Sequence, residues 1–170
     1  MIELSAKTYG NAAQLSSMID GAARLADDIS PALPAVAARF HKQMERHFDQ
    51  RGAAGPSGAW APLSLDYAAW KAKKYPGKGI LEATGAMRDA LTSFGEGSYT
   101  LYGPNSVFIG STLDYPTYHQ TGTERMPQRV VIDPSDRDAA EWVVEIWRWY
   151  EAQTSKLGWK GRFAGAMAGV

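Results

Sequence analysis

Ser98-Tyr-Thr-Leu-Tyr-Gly-Pro-Asn-Ser-Val-Phe-Ile-Gly-Ser111 decides the fold class. Tyr99 and Leu101, then Val107 and Ile109, recur at every second residue on either side of Gly103-Pro104-Asn105-Ser106. That run of turn formers between two period-two segments is the pattern of an antiparallel hairpin. The regular segments on either side of it have a helical period, so the chain is α+β.

Upstream, Leu15, Met18, Ile19, Ala22, Leu25 and Ile29 recur every three or four residues, which predicts an amphipathic helix over about 11–28 that Ser30-Pro31 ends. A second helix is expected from Pro34 to Phe48. Val36, Phe40, Met44, His47 and Phe48 lie along one side of it, with Arg39, Lys42, Glu45 and Arg46 on the other. The two helices are expected to form a helical hairpin. Gly52, Gly55, Pro56 and Gly58 make residues 50–59 a loop, expected to be mobile. Ser64 can cap a short helix that Tyr75-Pro76-Gly77 stops, and Thr84 can cap one through Met87, Arg88 and Leu91. Downstream, Arg129–Ile132 reads as a third strand between Pro127 and Pro134. Asp133 or Ser135 then caps a last helix to about Gln153.

On that last helix Ala140, Trp142, Val143, Val144, Ile146, Trp147, Trp149 and Tyr150 cover about 220° of the circumference. Glu141, Glu145 and Arg148 form a narrow polar strip. A single core-facing stripe needs little more than about 100°. The excess, with Trp142 and Trp149 at its edge, is either buried centrally in the domain or covered by another subunit. The expected layout is one α+β domain over 1–155, with a long C-terminal helix packed on a small sheet. A Gly-rich arm over 156–170 follows, carrying Trp159 and Phe163, and either orders on a neighbour or frays.

Eighteen Lys+Arg balance eighteen Asp+Glu, so no global field draws the chain to a charged polymer. Absence of cysteine removes disulfides, thiol nucleophiles and thiolate metal sites. The start of the chain has no signal-like segment and no stretch is apolar enough to span a bilayer, so a cytoplasmic protein is expected, with no membrane partner. His41 and His47 are spaced away from a common helix face, against a metal site. His119 with Asp114 could act as a general base, which keeps a small His-dependent hydrolase open as an alternative. Neither a nucleophile elbow nor a phosphate loop accompanies it: Gly77-Lys78-Gly79 lacks the spacing. Lys71, Lys73, Lys74 and Lys78 with Trp70 and Tyr75 could contact nucleic acid, but read more simply as a solvated helix face. The sequence assigns no catalytic residue, no cofactor and no metal ligand.

Trp60-Ala-Pro-Leu-Ser64, followed by Tyr67 and Trp70-Lys-Ala-Lys-Lys74, resembles the opening signature of the phage virion morphogenesis family, which includes tail-completion proteins of contractile-tailed phages and the Mu-type G protein. Ile80-Leu-Glu-Ala-Thr-Gly-Ala-Met-Arg88, Ile109-Gly-Ser111, Tyr115 and Tyr118-His-Gln-Thr-Gly122 follow in the family's order, and the likeness spans about residues 33–151. Met126–Ile132 departs from it: Pro127 and Arg129 match, whereas a second proline and a phenylalanine do not.

The resemblance implies an α+β subunit that multimerises, as a hexameric ring, at the head-proximal end of the tail. Such a ring would meet the tail tube protein and the head connector, and DNA would enter only as the genome passing through its lumen. Assembly in the host cytoplasm would precede incorporation into the virion. Trp60, Pro62, Leu63 and Tyr67 would pack the loop-to-helix corner. Trp70, Lys71, Leu81, Thr84, Gly85, Arg88, Gly110, Tyr115, Pro127 and Arg129 would be structural positions. Tyr118, His119 and Gly122 would shape the turn before the Arg129 segment. Trp142, Trp149, Trp159 and Phe163 are the expected subunit anchors.

Overall fold

A computed structural model describes residues 12–158. Its elements are α1 (Ala12–Asp27), a 3-10 turn (Ser30–Ala32), α2 (Leu33–Asp49), α3 (Leu65–Lys74), α4 (Ala86–Thr92), β1 (Ser98–Tyr102), β2 (Val107–Ser111), α5 (Pro116–Thr121) and α6 (Asp136–Lys156). The class is α+β, with helices around one two-stranded antiparallel sheet. Residues 159–170, which include Trp159, Phe163 and most of the expected arm, lie outside the described residues.

The core gathers on one side of α2. Phe40, Met44 and Phe48 meet Met87 and Leu91 of α4, Trp60 from the following loop, and Val131. Loop 50–59 is fastened down. Gly52 N donates to His47 O, Trp60 N to Arg51 O, and Ser57 N to Asp133 Oδ2. Gly52, at φ +88°, lies so close to the Trp60 ring that a Cβ there would sit 2.5 Å from it.

The long C-terminal helix is present, but its main support is α2 rather than the sheet. Glu141 and Glu145 of its polar strip face inward, while Arg148 stays exposed. Glu145 takes Arg39 at 2.5 Å, Asp138 takes Arg46 at 2.5 Å, and Gln43 bonds both Glu141 and the Trp142 indole. Arg39, Gln43 and Arg46 recur at helical spacing on α2, so that edge presents donors to α6. Part of the apolar arc, Val143 and Trp147, therefore stays exposed. α1 also reaches α6, where the Tyr150 hydroxyl donates to Ala22 O at 3.1 Å. Ser135 caps α6 in a reciprocal box with Asp138.

The sheet pairs Ser98 with Ser111 through Tyr102 with Val107, around the expected four-residue turn. It leans on α4 and one side of α2. The third strand expected over Arg129–Ile132 does not form. Side chains take its backbone groups instead: Gln120 Oε1 accepts from Val131 N at 2.8 Å and Ile132 N at 3.0 Å, while the Trp60 indole donates to Val130 O at 2.7 Å. His47 Nε2 also lies 3.1 Å from Val130 O. A segment whose backbone groups are satisfied this way has no need of a neighbouring strand. Thr84 does not occupy the cap position of α4. Gly85, at φ +97°, holds it, while Thr84 Oγ1 accepts from Ala86 N at 3.3 Å.

Candidate functional site

A cleft of about 850 Å³ opens between α3, the segment leading into α4, and the stretch that begins with α5. Pro62, Leu63 and Tyr67 form one wall, while Leu81, Thr84, Gly85 and Met87 form the second. Tyr115, His119, Met126, Pro127 and Arg129 form the third, and Lys71 reaches in from α3. Eleven of the positions singled out by resemblance are in these three walls and Lys71, brought together from segments far apart in sequence.

Local chemistry holds each wall. Ser64 caps α3 by accepting from Tyr67 N at 3.4 Å, and Tyr67 stacks on Trp70. Glu82 ties the second wall, accepting from Gly79 N at 3.2 Å and pairing with Arg88 at 2.5 Å; Arg88 also takes Asp49. Leu81 adopts φ +63°, a left-handed conformation unusual for a non-glycine residue. Gly122, at φ +74°, turns the chain after α5, and a Cβ there would stand 2.9 Å from Gln128 N.

Two of the three cations that line the cleft are buried, Lys71 and Arg129, while Arg125 is exposed. Lys71 is 4% exposed and donates from Nζ to Gly79 O at 2.5 Å. Arg129 is 5% exposed and donates to Ala61 O at 2.8 Å and Pro62 O at 2.9 Å. Among the described residues neither forms an ion pair. Burial lowers the Lys71 pKa, with Glu82 opposing and Arg129 adding to the fall. Burial likewise lowers that of Arg129. A buried charge is costly unless paired, and carbonyl dipoles compensate it only in part.

His119 shares this environment. Burial first, then the neighbouring Arg129 charge, hold its imidazole below its ordinary pKa, and its buried Nδ1 has no hydrogen-bond partner among the described residues. Asp114 is exposed and makes no bond to it, so the expected acid–base pair is not assembled. The four lysines also part company: Lys71 turns inward, Lys74 lies over the Trp70 and Tyr75 rings, and Lys73 and Lys78 are exposed. No group of three or more His, Asp or Glu among the described residues could hold a metal ion.

The remaining sequence candidates lie elsewhere. Trp60 is in the core, and Trp142 is half-buried against Phe40 and Gln43, inside its own chain. Trp149 is half-buried beside Tyr150. Gly110 faces Tyr99 across the sheet, and Tyr118 is exposed on α5. Gln120 was not singled out, although it stood inside the quoted motif and organises the whole third wall. Met87 and Met126 were also not singled out as cleft residues, since a methionine in sequence carries no sign of its location.

A second surface is apolar and open. Antiparallel register puts Tyr99, Leu101 and Phe108 on one face of the hairpin, and that face points outward: Leu101 is 52% and Phe108 61% exposed. Thr100 and Ile109 take the inner face.

A family model described as the phage virion morphogenesis family matches residues 11–146. The chain belongs to that family. The match takes in α1, which lay outside the likeness read from motifs, and ends within α6. No curated protein and no solved structure matches the chain. Membership of the phage virion morphogenesis family makes this a protein of virion assembly, associated with the particle. No helix among the described residues is long and apolar enough to cross a membrane.

Proposed function

We propose that this virion morphogenesis protein is a non-enzymatic tail-completion subunit that closes into a homo-oligomeric, hexameric ring at the head-proximal end of the tail. The ring caps the tail tube protein, offers a docking face to the head connector, and encloses the passing genome. It assembles in the host cytoplasm and remains in the neck of the virion. Family membership supports the virion role. The observation that carries self-assembly is the hairpin's outward face, where Tyr99, Leu101 and Phe108 form an apolar surface on two strands that, among the described residues, pair only with each other. Exposed Val143 and Trp147 on α6 add to the apolar surface left open.

Negative-stain imaging and native mass spectrometry of the purified full chain, alone and with tail tubes, test this reading. Closed rings, or rings that form on tube ends, are the expected result. A chain that stays monomeric at high concentration and is missing from finished particles would overturn it.

A further inference from the structure

Lys71 and Arg129 are buried together in an apolar cleft that opens to the outside, and no carboxylate of their own chain pairs with them among the described residues. Their ligand therefore brings a negative charge beside an apolar group. The cleft lies in the range of about 300–1,000 Å³ that encloses a small ligand or a few residues of peptide. Phe94-Gly95-Glu96, on the turn between α4 and β1, has this chemistry. Phe94 is 58% exposed, packed edge-on against His41, and Glu96 is exposed with no ion pair among the described residues. Among the described exposed large apolar side chains outside helices, strands and the cleft, Phe94 is the one with a carboxylate within two residues.

The N-terminal end of α4 forms part of the cleft wall, whereas Phe94 follows its C-terminal end, so the two patches sit at opposite ends of one helix. A contact between two different patches is head-to-tail, the kind that generates a ring when the rotation closes. β1 begins at Ser98, directly after the turn.

We infer that the cleft receives the Phe94-Gly95-Glu96 turn of a second copy, with the Glu96 carboxylate between Lys71 and Arg129 and the phenyl ring against Leu63, Leu81 and Met87. This rests on the self-assembly reading and supplies its subunit contact.

Full-length Glu96→Gln protein, kept below the concentration at which it forms rings so that its cleft is free, and carrying 13C-methyl methionine, tests it, because Met87 and Met126 report on the cleft and Met44 on the core. The probe is the blocked pentapeptide Ser-Phe-Gly-Glu-Gly, with its Gln counterpart and inorganic phosphate as comparisons. The Glu peptide is expected to shift the Met87 and Met126 methyls, with binding at least about tenfold weaker for the Gln peptide and for Lys71→Met. Equal binding of the two peptides, no shift from either, or the same shift from phosphate alone would overturn the proposal. Glu96→Gln alters only an exposed turn, so the fold should persist by circular dichroism. Ring formation by that variant is expected to need about tenfold more protein. A Glu96→Gln ring as stable as the wild type overturns this docking alone, whereas a solitary wild-type chain overturns the ring reading.

Discussion

Asp138 illustrates how much one side chain can carry. Burial pushes its pKa up, but bonds from the Ser135 hydroxyl and N–H and the Arg46 charge outweigh this, leaving the carboxyl below its ordinary value. A carboxylate with a depressed folded pKa stabilises the protein above its unfolded value of about 3.9, and that stability disappears as pH falls through the folded value. Asp138→Asn should cost about 1–3 kcal/mol at neutral pH. Urea titrations from pH 7 to 2 should show wild type and variant converging below about pH 4. Gly52→Ala, with a Cβ forced onto the Trp60 ring at φ +88°, should destabilise by about 2–4 kcal/mol in thermal melts.

At the scale of elements, Gln120 holds the third wall of the cleft. One side chain satisfies Val131 N, Ile132 N and Ile132 O, and its backbone carbonyl accepts from Gln128 at 2.9 Å. Gln120→Ala leaves those backbone groups without their partners, for an expected loss of about 2–4 kcal/mol. Hydrogen exchange of the Val131 and Ile132 amides should rise well before that of α2. The same element marks the limit of reading from sequence. Prolines around a β-branched run signal a strand, whereas the chain bends at Val131 and Ile132; whether a strand or a glutamine pairs such a segment depends on residues brought near by folding. The hairpin was legible from Gly103–Ser106, but period two does not say which face turns inward, and Phe108 proved outward. The α6 strip was visible as three polar residues. The inward direction of Glu141 and Glu145 followed from Arg39 and Gln43 on another helix. The cleft was legible as a set of motif positions and illegible as a place, because only folding joins Lys71 to Arg129.

For the whole molecule, the balance of charge and the placement of apolar surface point the same way. Eighteen charges of each sign leave no field to drive association, so assembly must come from local complementarity and buried apolar area. The hairpin contributes little to its own chain's core on its outer face, which separates folding from assembly in a single experiment. Leu101→Ser with Phe108→Ser removes exposed groups, and surface changes of this kind usually alter stability by no more than about 0.5 kcal/mol each. The doubly substituted chain should melt within a few degrees of wild type yet remain monomeric where the wild type forms rings, as read by sedimentation. A ring unaffected by the pair would move the subunit contact away from the sheet, and a chain that unfolds would mean that the outer face serves the fold instead.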